Sequence, residues 1–261
     1  MRIATFNANS IRTRLPVILP WLLEHRPDVL AVQETKVQDS DFPVDPFTEI
    51  GYSCAFKGQK SYNGVALITR EPLAEIRTGF FPDDTQNGPR LIRGRMGDVW
   101  IINAYVPQGR DRDSEHYAGK LEWLNQFRAM LEREYVPDQP IIWTGDLNVA
   151  PEPMDVHDPK SLDGHVCFNS ELTALFYEVC AWGFHDVFRR HRPDPGEYSY
   201  FDYRGATVYK NKGWRIDHIL GTRRMLDLST DAWIDLKPRK IRDPKPSDHT
   251  FMIADFQNLP R

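Results

Sequence analysis

Short apolar runs recur along the chain, and several of them end at a polar residue whose oxygen atoms could take part in chemistry. Residues 3–6 precede Asn7, and residues 29–32 precede Gln33 and Glu34. Runs of this length that are rich in Ile, Val, Trp and Phe are typical of buried β-strands. Further runs lie at 99–102 before Tyr105, at 141–145 before Asp146 and Asn148, and at 215–220 around Asp217. The sequence therefore predicts many short strands that deliver polar side chains at their ends.

Helical periodicity separates some of these runs. Apolar residues recur every three or four positions from 114 to 135, where Asp113 or Ser114 could cap the helix. A second helix is predicted from about 172 to 183, and a third from the proline at 16 to about 25. More than eight strands with a few helices between them predict an α/β protein with two β-sheets packed face to face and helices outside. The pattern leaves the order of the strands open.

Composition favours one folded domain over residues 1–261 and limits the kinds of partner. The chain has 41% apolar and 27% charged residues, which is typical of a globular protein with a sizeable core. Its longest apolar stretches are far shorter than the ~20 residues of a bilayer span, and the N-terminus lacks the apolar segment of a secretory signal. We therefore expect a cytoplasmic protein that does not bind membranes. The net charge of −4 means that any contact with nucleic acid must use a local basic face.

Oxygen donors accumulate at the ends of the predicted strands. Residues two apart on a strand share a face, so Asp146 and Asn148 could point to one spot. Carboxylates that converge repel one another unless a cation neutralises them. Oxygen ligands suit a hard cation such as Mg²⁺ or Mn²⁺, whereas zinc would take His or Cys. A divalent metal is therefore predicted near the following residues: Asn7, Glu34, Asp146, Asn148, Asp217 and Asp248.

Not all of these carboxylates can bind the metal, because Mg²⁺ keeps several waters and uses only one or two of them. Glu34 is the first candidate, and the others are then free to act as bases or orienting groups in hydrolysis of a phosphate ester. His249 directly follows Asp248, and neighbouring residues of an extended segment point to opposite sides. One could face the cation and the other the scissile phosphate. Asp217 is the expected partner that fixes the tautomer of this histidine.

Eight short motifs, in order along almost the whole chain, resemble those of the exonuclease III family of abasic-site endonucleases. They are TFNANSIR (5–12), QETK (33–36), YNGVA (62–66), NAYVPQG (103–109), GDLNVAP (145–151), FDYR (201–204), GWRID (213–217) and SDH (247–249). The resemblance implies a four-layer α/β sandwich of the DNase I-like type, with two mixed β-sheets and helices outside. It also implies Mg²⁺- or Mn²⁺-dependent cleavage of duplex DNA 5′ to abasic sites. Removal of 3′ blocking groups and digestion from 3′ ends are expected as well.

The resemblance also implies a metal-ligand set. Glu34 resembles the principal ligand, and Asn9 occupies a position from which some relatives reach the metal through water. The full predicted set is Asn7, Asn9, Glu34, Asp146, Asn148 and Asp248.

Catalytic roles follow from the same matches. Asp146 resembles the residue that activates or aligns the attacking water, and Asn148 resembles a hydrogen-bond donor to the phosphate. Tyr105 resembles the active-site phenol. Asp217 and His249 resemble a carboxylate–imidazole pair. Neutral donors and a protonated histidine can stabilise the pentacoordinate phosphorane without transferring a proton.

DNA contacts are expected from a larger group. Tyr200, Trp214 and Ile216 would line a small pocket for a base-less sugar, although relatives commonly carry Trp where this chain has Tyr200 or Phe201. Basic residues from 204 to 215 and from 237 to 245 could grip phosphates without regard to sequence. The predicted DNA-binding residues are Lys36, Asn63, Arg110, Lys120, Tyr200, Phe201, Arg204, Trp214, Arg215 and Ile216.

Several alternatives stay open at this point. A related fold could act on another phosphodiester, such as DNA beside uracil or a damaged base, undamaged DNA, an inositol phosphate or a lipid. A non-catalytic DNA-binding module would leave the set of acidic residues without a purpose. The expected partner is double-stranded DNA with abasic sites or 3′ ends, bound by a monomer.

Overall fold

The computed structural model describes residues 1–257. This part of the chain forms twelve strands in two six-stranded sheets, and its elements are numbered in chain order. The first sheet has the order β11 (Ser229–Asp235), β12 (Phe251–Phe256), β1 (Arg2–Asn7), β2 (Val29–Gln33), β4 (Val65–Thr69) and β3 (Ser53–Lys57). The second sheet has the order β5 (Glu75–Thr78), β6 (Leu91–Met96), β7 (Val99–Tyr105), β8 (Ile141–Asp146), β10 (Asp217–Thr222) and β9 (Phe184–Asp186). The five runs predicted as strands correspond to β1, β2, β7, β8 and β10.

Seven α-helices occur within residues 1–257: α1 (Ile11–His25), α2 (Val44–Glu49), α3 (Glu115–Glu134), α4 (Ser170–Cys180), α5 (Val187–His191), α6 (Arg223–Leu228) and α7 (Lys237–Lys240). Helices α1 and α2 pack on the outer face of the first sheet, and α3 and α4 pack on the outer face of the second. This arrangement confirms the four-layer α/β sandwich. Over the same residues, no helix combines the length and apolar character needed to cross a bilayer.

Two helices test the sequence prediction in opposite ways. Helix α3 is the predicted one, and its N-cap Ser114 accepts a hydrogen bond from the backbone N–H of Tyr117 at 3.3 Å. The predicted start of the first helix was wrong, because α1 begins at Ile11 and contains both Pro16 and Pro20. Each proline removes one intrahelical hydrogen bond. Burial of the apolar face of α1 against the first sheet outweighs that cost.

The central strands are apolar on both faces. In β8, Ile142 faces the core between the sheets, whereas Ile141 and Trp143 face the layer of α3 and α4. The residues of β2 alternate in the same way between the inner core and α1. Burial on both faces explains why these strands appear in the sequence as continuous apolar runs.

A polar contact crosses the core between the sheets. Asn103 of β7 donates from Nδ2 to the carbonyl oxygens of Val32 at 3.0 Å and Ala66 at 2.8 Å in the first sheet. Its Oδ1 accepts a hydrogen bond from Gln33 Nε2 at 2.7 Å. Buried polar groups must be paired, so these bonds favour one relative placement of the sheets. Glu34 follows immediately at the end of β2.

The polar strand ends meet at one edge of the sandwich. Strands β1 and β2 are parallel, as are β7 and β8, so the carboxyl ends of each pair lie side by side. Strands β10 and β12 run antiparallel to their neighbours and begin at the same edge. Asn7, Asp146 and Asp217 are therefore brought to one place from distant parts of the chain.

Candidate active site

A row of three polar side chains crosses the end of the second sheet. Tyr105 of β7 lies opposite Asp146 of β8 in the parallel pair. Asp146 in turn lies opposite Asp217 of β10 in the antiparallel pair. Both carboxylates are buried. The register of the sheet thus places three of the predicted catalytic residues next to one another.

His249 approaches this row from the segment that precedes β12. Its Nδ1 hydrogen bonds with Asp217 Oδ2 at 2.8 Å, and its Nε2 lies 3.8 Å from Asp146 Oδ2. Burial alone would lower the pKa of His249, but the carboxylates of Asp217 and Asp146 outweigh burial and raise it. The raised pKa favours the imidazolium form of the ring, in which Nδ1–H donates to Asp217. The structure brings the predicted carboxylate–imidazole pair together.

Glu34 reaches the same place from the first sheet. The side-chain amide of Asn7 donates both to Glu34 Oε1 and to Asp146 Oδ2, each at 2.8 Å. Lys36 Nζ lies 2.7 Å from Glu34 Oε2. One amide group thus links a carboxylate of each sheet across the end of the core.

Asp248 completes the acidic edge. Its Oδ1 accepts hydrogen bonds from Asn9 Nδ2 at 3.1 Å and from the Ser247 hydroxyl at 3.2 Å. Burial alone would raise the pKa of Asp248, but His249 and these hydrogen bonds outweigh burial and lower it. Asp248 is therefore a stable carboxylate. The Asn9 side-chain oxygen accepts a short hydrogen bond from Lys36.

The backbone around these side chains adopts left-handed conformations that residues other than glycine rarely take. The φ angles are 45° at Asn9, 95° at Ser10, 50° at Glu34, 55° at Lys36 and 51° at Asn148. Conformations of this kind cost about 1–3 kcal/mol each and persist only where the surroundings fix them. Two of these loops are joined by the hydrogen bond from the Ser10 N–H to the Glu34 carbonyl at 2.8 Å. Five of the twelve non-glycine residues with positive φ within residues 1–257 thus lie beside the candidate site.

Negative charge is in excess at this edge. Burial raises the pKa of Asp146, and Asp217 and Glu34 act in the same direction against the effect of His249. Oδ1 of Asp217 is buried and accepts no hydrogen bond from residues 1–257. A cation would relieve both the repulsion and the burial cost of these carboxylates.

The donor set fits a hard divalent cation. Glu34 and Asp248 offer carboxylate oxygens, and the amides of Asn7 and Asn9 lie against them. Both amides now turn nitrogen toward the carboxylates, and a half-turn of either group would present oxygen to a cation. Asp146, Asp217 and His249 also place ligand atoms within 4.8 Å of one another. In this trio the proton of His249 already bridges toward Asp217, so the trio is better suited to holding a proton than a metal.

A cavity of about 410 Å³ opens beside the carboxylates. The catalytic cluster lines one side, and the predicted pocket residues Tyr200, Trp214 and Ile216 line the other. The backbones of Tyr200 and Trp214 exchange two hydrogen bonds of 2.9 Å, which fix these rings relative to each other. The three residues predicted to line a sugar pocket therefore line one cavity together with the candidate catalytic groups.

Five further residues at the site were not identified from the sequence. Gln108, His165, Cys167 and Asp202 line the cavity. The Arg90 guanidinium lies 4.6 Å from the centre of the active-site tyrosine ring, and burial lowers the pKa of Arg90. Gln108 and Asp202 belong to the motifs NAYVPQG and FDYR, which could have indicated them. The other three lie outside every motif.

Lys120 lies inside the protein and not at a DNA-facing surface. Its Nζ donates to the carbonyl oxygens of Asn148 at 2.7 Å, Val166 at 2.6 Å and Gln108 at 3.2 Å. Burial lowers the pKa of Lys120. Because these acceptors replace water around a fully buried ammonium group, the prediction of direct DNA contact was wrong. Lys120 instead holds the loop that carries Asn148.

Phe201 and Arg215 are also buried. Phe201 packs in a small core with Tyr198. Arg215 pairs with Asp155 at 2.7 Å and with Asp186 at 2.8 Å. Both residues follow directly after pocket residues in extended chain, where successive side chains point to opposite sides. The expected direct contact with DNA was therefore wrong for these two residues.

The remaining predicted DNA contacts lie at or near the surface. Arg110 and Arg204 are exposed, and Asn63 is half-buried. Lys36 is half-buried, and its ammonium group is held by Glu34. A phosphate would have to compete with this ion pair for Lys36.

Comparison with known proteins agrees with this geometry. A model described as the Endonuclease/Exonuclease/phosphatase family matches residues 4–249. Exodeoxyribonuclease III of Haemophilus influenzae is 32% identical, and the match covers 98% of this chain and 100% of the relative.

Two solved structures are similar along nearly their whole length. An AP endonuclease from Archaeoglobus fulgidus is 40% identical with a TM-score of 0.95, covering 99% of this chain and 100% of that one. The 3′ phosphatase NExo from Neisseria, bound to a product DNA hairpin, is 32% identical with a TM-score of 0.92. That match covers 98% of this chain and 99% of the Neisseria chain.

Proposed function

The chain belongs to the endonuclease/exonuclease/phosphatase family, and from that premise we propose that it is a DNA repair phosphodiesterase of the exodeoxyribonuclease III and AP endonuclease type. It hydrolyses the phosphodiester 5′ to abasic sites in duplex DNA and also removes blocking groups from 3′ ends. The proposal draws on relatives named exodeoxyribonuclease III, AP endonuclease and 3′ phosphatase.

The observation that carries the proposal is the row of Tyr105, Asp146 and Asp217, completed by His249, beside a cavity with an aromatic wall. Hydrolysis of a phosphate ester needs a group that activates water, positive charge on the non-bridging oxygens and support for the departing oxygen. This row supplies a buried base and several donors within reach of one cavity. A pure binding module would have no use for buried carboxylates held close together.

Mg²⁺, or Mn²⁺ in its place, is the proposed cofactor. Glu34 is the proposed principal ligand, with Asp248 and Asn7 beside it and Asn9 acting through water. Bound there, the cation supplies positive charge to the non-bridging oxygens of the scissile phosphate.

Asp146 is the proposed acceptor of the proton that the attacking water loses. A carboxylate whose pKa is raised by burial is a better base than an exposed one. Its orientation is fixed from two sides, because Asn7 donates to Oδ2 at 2.8 Å and the backbone N–H of Asn148 donates to Oδ1 at 3.0 Å.

Tyr105, Asn148 and His249 are the proposed donors to the phosphate. Burial raises the pKa of Tyr105, and Glu34 and Asp146 raise it further, so the phenol keeps its proton. Asp217 holds the other edge of the His249 ring, which leaves Nε2–H available to an oxygen that becomes more negative in the transition state. Donors fixed in this way stabilise the transition state more than the substrate.

Duplex DNA is the proposed partner, and the base-less sugar would enter the wall formed by Tyr200, Trp214 and Ile216. Exposed Arg110 and Arg204 are proposed to contact the phosphate backbone. Such contacts are electrostatic, so affinity should fall steeply as salt rises. The chain is proposed to act as a monomer, since each catalytic group named here comes from one chain.

The test is a gel assay with four labelled duplexes in Mg²⁺ and again in EDTA. They carry a tetrahydrofuran abasic analogue, a 3′-phosphate, a recessed 3′ end or a single uracil. We expect incision 5′ to the analogue and release of the 3′-phosphate in Mg²⁺, and neither in EDTA. The Asp146→Asn variant is the matched inactive control.

Two results would contradict the proposal. Activity that persists in EDTA would remove the metal from the mechanism. Cleavage of the uracil duplex or of intact DNA, with the abasic analogue left uncut, would assign the same site to a different substrate.

A further inference from the structure

The wall of the sugar pocket carries a hydroxyl group without a partner. Tyr200 lines the cavity, and its ring centre lies 5.0 Å from that of His249. Its backbone is fixed by the two hydrogen bonds with Trp214, but no group within residues 1–257 hydrogen bonds to its Oη. Burial, followed by Asp248 and Asp202, raises the pKa of Tyr200, so the hydroxyl keeps its proton. Tyr200 therefore contributes to the cavity wall a hydroxyl donor that has no acceptor among the described residues.

His165 provides a second donor; its side chain is exposed, whereas that of Tyr200 is half-buried, and both line the same cavity. Its Nδ1 must accept the hydrogen bond from the Cys167 backbone N–H at 3.1 Å, so in the neutral ring the proton resides on Nε2. Burial, with Lys120, lowers the pKa of His165, which keeps the ring neutral. The ring lines the cavity and lies 4.7 Å from Trp214, and Nε2 has no partner in the described chain.

Two unpaired donors are costly in a pocket that receives an apolar ligand. Entry of a ligand strips water from both groups, and a ligand without an acceptor leaves them unsatisfied. A base-less deoxyribose in its ring form carries a hydroxyl on C1, where the base was attached. A tetrahydrofuran ring has the same shape but no oxygen substituent there.

We propose that Tyr200 and His165 recognise the C1 oxygen of the abasic sugar, so that the pocket favours a natural abasic site over its tetrahydrofuran analogue. This inference rests on the proposed function. The two residues are specificity determinants, and the hydrolytic step itself uses the groups already described.

The same cavity holds the catalytic groups and the ring-lined wall. Its volume of about 410 Å³ includes the space beside Glu34, Asp146 and His249, which the scissile phosphate must occupy. The Tyr200, Trp214 and His165 side chains line the same cavity. Donors on these walls therefore lie where C1 of the sugar would enter.

The experiment compares kcat/KM for duplexes that carry a natural abasic site or tetrahydrofuran at one position. Natural sites are made by uracil glycosylase treatment just before the assay. We expect kcat/KM of the unmodified protein to be about tenfold higher for the natural site. The analogue cannot accept hydrogen bonds from the two donors, and this loss lowers its kcat/KM. Tyr200→Phe and His165→Phe should each lower the preference to about threefold, and the double variant should lower it to about one. Because both residues line the pocket, the readout is the ratio of kcat/KM for the two duplexes and not the absolute rate on either one.

Two control variants match the chemistry of these changes. Tyr198→Phe removes a hydroxyl from a residue two positions away that does not line the cavity, and His185→Phe alters an exposed histidine elsewhere. Both should keep the tenfold preference. Tyr200→Phe deletes one oxygen only, so it remains informative if the histidine variant folds poorly.

The outcomes separate this inference from the proposed function. If the unmodified protein cuts both abasic duplexes equally well, or if both variants keep its preference, the proposed recognition of C1 is wrong while the proposed function stands. If neither abasic duplex is cut, both fail. If the variants lose cleavage of a uracil duplex instead, the donors read a base and the proposal is overturned.

Discussion

Two charge clusters, each with a buried centre and partly exposed members, lie next to each other at the start of β10 and are built on opposite principles. The Arg215 cluster consists of Arg215, Asp155, Asp186 and Arg189. The active-site cluster consists of Glu34, Asp146, Asp217, Asp248, Lys36 and His249. In the first cluster each carboxylate has a guanidinium partner. In the second cluster carboxylates outnumber the cations.

The pKa values of two buried aspartates express this difference. Burial alone would raise the pKa of Asp155, but Arg215 and Arg189 outweigh burial and lower it. Burial raises the pKa of Asp146, and the opposing effects of His249 and Asn7 are too small to return it to its ordinary value. Paired charges offset much of their own burial cost without any ligand, whereas an excess of one sign leaves that cost uncompensated until a cation binds. The Arg215 cluster is therefore structural, and the active-site cluster is prepared for a ligand.

The largest expected effect comes from Asp146→Asn. Loss of the base should lower kcat by about a thousandfold, which corresponds to about 4 kcal/mol in the activation free energy. The melting temperature in EDTA should stay the same or rise, because the change removes one negative charge from a cluster in which carboxylates outnumber cations. Steady-state cleavage of the abasic duplex and calorimetry would measure the two quantities. A stable protein with near-normal kcat would show that Asp146 is not the base.

Asp155→Asn should have the opposite profile. It leaves Arg215 and Arg189 without their shared carboxylate, so the free energy of unfolding should fall by about 3 to 4 kcal/mol. Below its melting temperature the folded fraction should keep kcat within about threefold, since Asp155 touches no catalytic group named here. Urea unfolding and cleavage kinetics on the same preparation would test both. Loss of kcat without loss of stability would erase the distinction between the clusters.

His218 makes the comparison sensitive to pH. It is buried, its Nδ1 accepts from Arg215 Nη1 at 3.1 Å, and its Nε2 donates to the Val149 carbonyl at 2.8 Å. Burial, with Arg215, lowers the pKa of His218 to about 4. The unfolded chain takes up this proton near pH 6.5 and the folded chain does not, so stability is complete above about pH 6.5 and falls as pH drops toward about 4.

The loss attributable to His218 should reach about 2 kcal/mol at about pH 5 and about 3 kcal/mol in total. Urea unfolding in EDTA at a series of pH values would measure it. His218→Gln is the control, because it removes the titrating group and should flatten the curve in this window. An equally steep curve in that variant would assign the pH dependence to other groups.

Much of the site could be predicted because its residues end short apolar strands. Asn7, Glu34 and Asp146 stand directly after such runs, and the parallel pairs β1–β2 and β7–β8 bring those ends together. Strand order and register could not be predicted, because they depend on contacts between distant segments. Only the register explains why Tyr105 lies opposite Asp146.

The errors have a common physical cause. Lys120 and Arg215 are basic residues near the site, and basic residues are exposed far more often than buried. Carbonyl oxygens satisfy Lys120 and carboxylates satisfy Arg215, and those partners come from other parts of the chain. His165 and Arg90 were missed for the converse reason, since their place beside the cavity and Tyr105 arises only from the fold.

The smallest expected effect is also the most direct test of the difference between the clusters. A divalent cation that binds only the folded protein should raise its free energy of unfolding by about 1.4 kcal/mol when free metal is ten times the Kd. Mg²⁺ and Mn²⁺ should both raise the melting temperature of the unmodified protein. Glu34→Gln should abolish the shift, because it removes the principal ligand, whereas Asp155→Asn should keep it from a lower starting temperature. The Arg215 cluster is already neutralised and should not bind the cation. If Asp155→Asn abolished the shift and Glu34→Gln kept it, the cation would bind at the Arg215 cluster. The ligand-binding and structural roles of the two clusters would then be reversed.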